Sequence, residues 1–189
     1  MNFNNMKIAT RLALGFGLVM LLTAVLVGIG IFSMESTKKG FAEATERARR
    51  VGLAEEWVAS TRLNINRVMA LAKSRNDPAV EAHFKPLIAK TTDRINEVQK
   101  ALEAEIVSER GKALLADIGI KRAEYIAVRK TFFDALKAGD TAAADQILDK
   151  GLLPAADAYS GKQQELLNYQ IELVGKAVEA SSATVQGQI

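Results

Sequence analysis

The chain has 189 residues, with 25 Lys or Arg against 22 Asp or Glu, so its net charge of +3 is small for its length. This balance argues against a dedicated nucleic-acid-binding protein, which concentrates positive charge on one face. Without cysteine and with one histidine, the chain has no disulfide, no thiolate metal site and no evident Ser-His-Asp triad. It also lacks a phosphate-binding loop and a nucleophile elbow, so we predict no enzymatic activity, no metal and no cofactor.

An uncharged apolar run extends over residues 12–34. About 20 apolar helical residues cross a bilayer core of about 30 Å, so this run predicts a transmembrane helix. Lys7 and Arg11 precede it, which by the positive-inside rule places the leader, residues 1–11, in the cytoplasm and the following residues outside. The alternative is a cleaved signal peptide, but its apolar core would be only about 7–15 residues long and would end in small residues.

From residue 35 the chain is rich in Ala, Leu, Glu, Lys and Arg and poor in Pro, which favours a helical domain over residues 35–189. Apolar or small side chains recur at heptad spacing along a first helix of about 35–75, which continues from the apolar run without a break. This heptad seam consists of Val51, Ala54, Val58, Thr61, Ile65, Val68 and Ala72.

Turn and cap residues delimit the second and third helices. The first helix ends at about residue 75, where Asn76-Asp77-Pro78 stops it, because Asp77 is a good N-cap and Pro78 a good first helical residue. The second helix is then expected over about 78–106 and the third over about 110–137. No segment alternates polar and apolar residues with the period of two that a half-buried strand requires.

A short helix over 141–150, closed by Gly151, is expected before a fourth long helix over 154–189, which Pro154 opens. Four long amphipathic helices joined by short breaks predict an all-α fold, an antiparallel up-down four-helix bundle preceded by an N-terminal transmembrane helix. The last helix is still periodic at Ile189 and has no cap there. Because four passes return the chain to the bilayer, we expect a second membrane span to follow.

Three segments are similar to one protein family. Residues 7–16, KIATRLALGF, resemble the start of bacterial methyl-accepting chemotaxis proteins. Residues 133–140, FDALKAGD, and residues 152–155, LLPA, resemble parts of the four-helix-bundle sensor domain of that family. The resemblance implies that residues 35–189 form a periplasmic, homodimeric ligand-binding domain attached to the bacterial inner membrane.

In this family the bundle binds small attractants near the end far from the membrane, and the last helix passes the signal to a cytoplasmic module that controls a kinase. The resemblance therefore implies a receptor input region without catalytic activity, whose kinase-control module is missing from this chain. Two alternatives remain. One is the input domain of a histidine kinase or of a cyclic-dinucleotide enzyme, and the other is a membrane-anchored helical scaffold without a ligand.

One face of the third helix is a candidate anion site. Arg122, Tyr125 and Arg129 occupy positions i, i+3 and i+7, so their side chains share that face. Guanidinium groups match carboxylates bidentately, and a phenol can bond to the same oxygen. Two arginines beside an apolar seam would be costly to bury without an anion. The alternative is a solvated face on which Glu124 or Asp134 pairs with the arginines.

The first helix offers further candidates. Residues 61–67, TRLNINR, resemble the arginine segment of amino-acid chemoreceptors, which implies ligand roles for Arg62 and Arg67. Leu71 replaces the third arginine of that segment, which does not favour an amino acid. At about 1.5 Å per residue, these arginines, Thr92 and Tyr159 lie about 8 to 21 Å from the distal turns. The arginines of the third helix lie about 13 to 24 Å from them, so the heights overlap. The predicted ligand-binding residues are Arg62, Arg67, Thr92, Arg122, Tyr125, Arg129 and Tyr159.

The predicted ligand is a small di- or tricarboxylic acid such as malate or citrate, because the candidate residues combine several arginines with phenol groups. Amino acids and aromatic acids are the alternative ligands.

Overall fold

The structure is a computed structural model that describes residues 7–186, apart from the side chains of Arg11, Ser36 and residues 184–186. The described residues form helices and no strands. They are α1 (Ile8–Lys73), α2 (Pro78–Glu105), α3 (Glu109–Lys137), α4 (Thr141–Ile147), a π-helical turn (Leu148–Leu152) and α5 (Leu153–Gln186). The predicted end at Ile189 and the first six residues of the predicted leader lie outside this range.

The chain divides into two compact units, residues 1–45 and residues 46–189. From Ile8 onward the first unit belongs to α1, the one helix among those described that is long and apolar enough to cross a membrane. Its large apolar side chains are exposed, Leu26 at 69% and Phe32 at 77%. Hydrocarbon accommodates such a surface, because a helix satisfies its backbone hydrogen bonds internally. The predicted transmembrane segment therefore has the properties of a membrane span.

Polar contacts between helices identify which helices are neighbours in the second unit. Each long helix is joined to the next one along the chain, and α5 is joined to α1. The pairs are Asn64–Thr92 between α1 and α2, Arg122–Asn96 between α2 and α3, Lys162–Asp117 between α3 and α5, and Gln163–Thr61 between α1 and α5. This confirms the predicted all-α four-helix bundle.

Polar side chains cap two helix starts, and one of them, Asp77, is the cap predicted above. The Asp77 carboxylate accepts hydrogen bonds from two backbone N–H groups in the first turn of α2, at 2.9 and 3.2 Å, and Pro78 is the first residue of that helix. The Asp140 carboxylate accepts a bond from the Ala143 N–H at 3.0 Å at the start of α4. Each such cap stabilises the fold by about 0.5–2 kcal/mol, so local sequence sets these helix starts.

The helix end predicted at Gly151 is not observed. Gly151 lies inside the π-helical turn that joins α4 to α5, so the predicted short helix over 141–150 does not end there. A Cβ atom at this position would lie 3.0 Å from Cγ1 of Val128 on α3. A side chain at position 151 would crowd Val128, because the backbone of the turn approaches α3 closely, and spacing along the chain does not reveal this.

The buried face of α1 is wider than the predicted heptad seam. Thr61 and Val68 of the seam are buried, as is a second row of residues beside them. A helix in a bundle buries a wider stripe than the strict seam of a coiled coil, because it contacts more than one neighbour. The second row consists of Trp57, Asn64 and Leu71. It brings the amide of Asn64 into the interior, next to the cavity described below.

Candidate ligand-binding site

A cavity of about 50 Å³, here called the core cavity, lies where α1, α2, α3 and α5 meet. On a scale where one water needs about 10–15 Å³, it holds a few waters or one carboxylate group. Ile126, which is 42% exposed, is among its lining residues and places one side of the cavity near the surface. The lining residues are Thr61, Asn64, Ile65, Thr92, Ile95, Arg122, Tyr125, Ile126, Arg129 and Tyr159.

Arg129 brings a positive charge to this cavity. Its side chain is half-buried, and its guanidinium carbon lies 5.6 Å from the centre of the Tyr125 ring. No carboxylate of the described residues forms an ion pair with it. A half-buried cation in this situation is stabilised when an anion binds beside it, because the anion compensates for the water that burial removes.

The carboxylates that a solvated face would supply to the arginines have other partners. Glu124 accepts a hydrogen bond from Lys121 at 2.8 Å, and Asp134 accepts one from Lys130 at 2.5 Å. Both are local pairs on the surface of α3, where ion pairs contribute little to stability. Glu124 and Asp134 therefore do not neutralise Arg129, which favours the anion-site interpretation over the solvated face.

Arg122 is held by neutral oxygens. Its guanidinium donates hydrogen bonds to the side-chain amide oxygens of Gln99 and Asn96 on α2. The Gln99 amide nitrogen in turn donates to a Glu103 oxygen at 2.7 Å, so this carboxylate acts on Arg122 only through an amide. A ligand carboxylate would offer Arg122 a negative charge and two oxygens that match the guanidinium bidentately, which neither amide oxygen provides.

Tyr125 and Tyr159 place two phenol groups in the interior. They are 5% and 3% exposed, their ring centres are 5.9 Å apart, and neither hydroxyl has a hydrogen-bond partner in the described part of the chain. Burial raises the pKa of both hydroxyls, and at Tyr125 the charge of Arg129 opposes the rise. An unpaired buried polar group costs about 1–3 kcal/mol, so a ligand oxygen or a water in the core cavity would relieve a real penalty.

A second group of polar atoms adjoins the Tyr159 hydroxyl. Gln163 Nε2 donates to Thr61 Oγ1 at 3.0 Å, whereas Gln163 Oε1 and Trp57 Nε1 have no partner among the described residues. Thr61 and Tyr159 both line the core cavity. Burial raises the pKa of the Tyr159 hydroxyl, and Thr61, the charge of Arg122, Trp57 and Gln163 oppose the rise. The polar interior therefore extends from the core cavity to the contact between α1 and α5.

The polar side chains of α1 and α2 on this side of the cavity already have hydrogen-bond partners within the protein. Asn64 Nδ2 donates to Thr92 Oγ1 at 3.0 Å, and Thr92 donates to a backbone carbonyl of its own helix at 2.8 Å. Arg67 donates to Thr91 Oγ1 at 2.7 Å and to a backbone carbonyl of α2 at 3.0 Å. Because these groups are already paired, they are less available to a ligand than Arg129 is.

Five of the seven predicted ligand residues line the core cavity. The other two do not. Arg62 is exposed and donates to Gln164 of α5 at 3.0 Å, and Arg67 is bound to α2 as described above. The five are Thr92, Arg122, Tyr125, Arg129 and Tyr159. The structure thus brings together the residues of α2, α3 and α5, while ligand binding by any of the seven stays a prediction.

Four polar residues near the cavity are absent from the predicted set. Thr61 and Asn64 line it from α1, and Asn96 and Gln99 hold Arg122 from α2. The sequence does give a signal for Thr61 and Asn64, because these polar residues stand three positions apart on an otherwise apolar stripe. Buried polar groups need hydrogen-bond partners, so such a position predicts polar neighbours in the interior. Asn96 and Gln99 lie among many polar residues of α2, and no pattern distinguishes them.

Comparison with known protein families matches residues 5–185 to a family described as a four helix bundle sensory module for signal transduction. The match includes both the apolar N-terminal segment and the bundle. A comparison with curated proteins finds no match.

Proposed function

Because the chain belongs to the four-helix-bundle sensory modules of chemoreceptor-type signal transducers, we propose that it binds small carboxylates and controls chemotaxis from the bacterial inner membrane. One observation carries this proposal. Neither Arg122 nor Arg129 forms an ion pair with a carboxylate of the described residues, and together they bring two guanidinium groups to one cavity. Di- and tricarboxylic acids such as malate and citrate offer two or more carboxylates, which suits a pair of guanidinium groups.

Ligand binding changes the packing of the bundle in this proposal, because the core cavity holds no more than a carboxylate group. The arginines lie on α3 and Tyr159 lies on α5, so an anion that recruits all three alters the contact of these helices with α1. The end of α5 then carries the signal onward. Lys7 and Arg11 before the apolar run support a periplasmic location of the bundle by the positive-inside rule.

The receptor acts as a homodimer in this proposal. Leu63 on α1 and Ile171 and Val178 on α5 are exposed at 47%, 48% and 61%. The two residues of α5 are seven positions apart and share one face. A second copy of the chain, related by a two-fold axis, would cover such residues with the same residues of its own surface.

Isothermal titration calorimetry with malate and citrate tests the carboxylate site. Arg122→Ala and Arg129→Ala should each lower affinity about tenfold or more, a loss of about 1.4 kcal/mol, with helicity unchanged by circular dichroism. Arg110→Ala is the matched control, since Arg110 also lies on α3 over a tyrosine ring but pairs with Glu172. Unchanged affinity in both cavity variants, or no binding of either acid to the wild-type chain, would contradict the proposal.

A further inference from the structure

A second and larger pocket shares Arg129 with the core cavity. It lies at the turn between α1 and α2, has a volume of about 240 Å³, and is called the turn pocket here. Residues of α1, α2 and α3 surround it, and α5 does not contribute. A group bound to Arg129 would therefore stand where the two spaces meet.

The floor of the turn pocket is apolar. Val68 and Leu71 of α1 are 2% and 6% exposed, and Ile88 and Phe133 are half-buried beside them. Removing such apolar surface from water is favourable roughly in proportion to its area. The floor therefore favours a ligand that brings an apolar body of its own.

The polar residues at the rim satisfy one another, with one exception. Lys85 Nζ pairs with Glu81 at 3.3 Å, and Asn76 donates to the other oxygen of the same carboxylate at 3.2 Å. Arg129 is the rim residue whose charge has no carboxylate partner in the described structure. The charge that the rim offers to a ligand is thus positive and is located at Arg129.

We propose that the turn pocket selects, among carboxylates, acids that carry an aromatic or branched apolar body. The carboxylate binds the Arg129 guanidinium, and the apolar body lies on Leu71 and Phe133. This inference rests on the proposed carboxylate sensing and adds acids with an apolar body to its ligand class.

Titration calorimetry of the 189-residue chain in detergent, with benzoate, acetate and malate as ligands, tests the inference. Benzoate and acetate each carry one carboxylate, so the ratio of their affinities reports the contribution of the aromatic ring. We expect benzoate to bind at least about tenfold more tightly than acetate. Phe133→Ala and Leu71→Arg should each remove most of this advantage, because one deletes floor contacts and the other places a charge on the floor.

Two controls separate pocket effects from general ones. Phe41→Ala and Ile120→Arg make the same chemical changes at residues that are 75% and 57% exposed and do not line the pocket. Their benzoate affinity should equal that of the wild-type chain. Circular dichroism checks folding, and Phe133→Ala decides the outcome if Leu71→Arg does not fold.

The possible failures of the two proposals are distinguishable. If malate binds and benzoate binds no more tightly than acetate, the inference about the turn pocket is overturned while carboxylate sensing stands. If benzoate binds tightly and neither pocket variant weakens it, the pocket assignment is also overturned. Binding of none of the acids contradicts carboxylate sensing itself, and the inference fails with it.

Discussion

The Arg129 guanidinium carbon lies 5.6 Å from the centre of the Tyr125 ring, and a second pair of the same kind, Arg110 over Tyr169, has a distance of 4.7 Å. In the second pair the arginine forms an ion pair with Glu172, and the tyrosine hydroxyl donates to a serine side chain. In the first pair the arginine has no carboxylate partner and the hydroxyl has no acceptor among the described residues. Both pairs place an arginine over a tyrosine ring. In the pair at the core cavity, the guanidinium group lacks an ion-pair partner and the hydroxyl lacks a hydrogen-bond partner among the described residues.

Removal of the tyrosine hydroxyl should have different effects on stability in the two pairs. Tyr125→Phe deletes an unpaired buried group, so the free energy of unfolding without ligand should stay the same or rise. Tyr169→Phe deletes a hydrogen bond of 3.0 Å to Ser108 and should lower it by about 0.5–1.5 kcal/mol. Urea unfolding followed by circular dichroism measures both. Equal losses in the two variants would show that the Tyr125 hydroxyl is paired after all.

Stability should decline in alkaline solution because of the two cavity phenols. Burial raises the pKa of Tyr125 and Tyr159 above the ordinary value of 10.0, so the folded chain keeps protons that the unfolded chain releases. The stabilisation that the two protonated phenols contribute is complete below about pH 10, and it is lost as pH rises through their pKa values in the folded chain. The urea midpoint of Tyr125→Phe/Tyr159→Phe, measured on both sides of pH 10, should fall less steeply than that of the wild type. An equally steep decline would assign the effect to other groups.

Substitutions at Thr61 and Gln163 should have strongly non-additive effects on stability, because a buried hydrogen bond joins the two side chains. Thr61→Val alone leaves the Gln163 amide nitrogen without its acceptor and should cost about 1–3 kcal/mol of unfolding free energy. Thr61→Val/Gln163→Leu removes both partners and also the unpaired Gln163 oxygen, so the double variant should be close to the wild type in stability. A double-mutant cycle from urea unfolding measures the coupling. Additive losses would argue against the bond.

The close approach of Gly151 to α3 predicts opposite effects at two glycines. Gly151→Ala places a methyl group 3.0 Å from Val128 Cγ1 and should cost about 1–3 kcal/mol through overpacking. Gly161→Ala in α5 meets no atom within 4 Å and should stabilise the chain by up to about 1 kcal/mol through helix propensity. Thermal unfolding compares them, and Val128→Ala should rescue Gly151→Ala. A stabilising Gly151→Ala would contradict the packing argument.

The amino-acid sequence by itself determined the features that depend on neighbours along the chain. The membrane-spanning character of residues 12–34 follows from their length and lack of charge, and the start of α2 follows from Asp77 and Pro78. Helical periodicity also places Arg122, Tyr125 and Arg129 on one face. These conclusions needed no knowledge of which helices pack together, because local spacing and local hydrogen bonds decide them.

Only the tertiary structure decided which polar groups find partners. Arg62 and Arg67 have the same charge and a similar height as Arg129, yet their guanidinium groups bond to α5 and α2. Gly151, a helix terminator by its sequence, is a point of close packing instead. The partners in each case lie on another helix, at a position set by the rotation of each helix in the bundle. That rotation leaves Arg129 facing a cavity without a carboxylate, and this is why the candidate site centres on it.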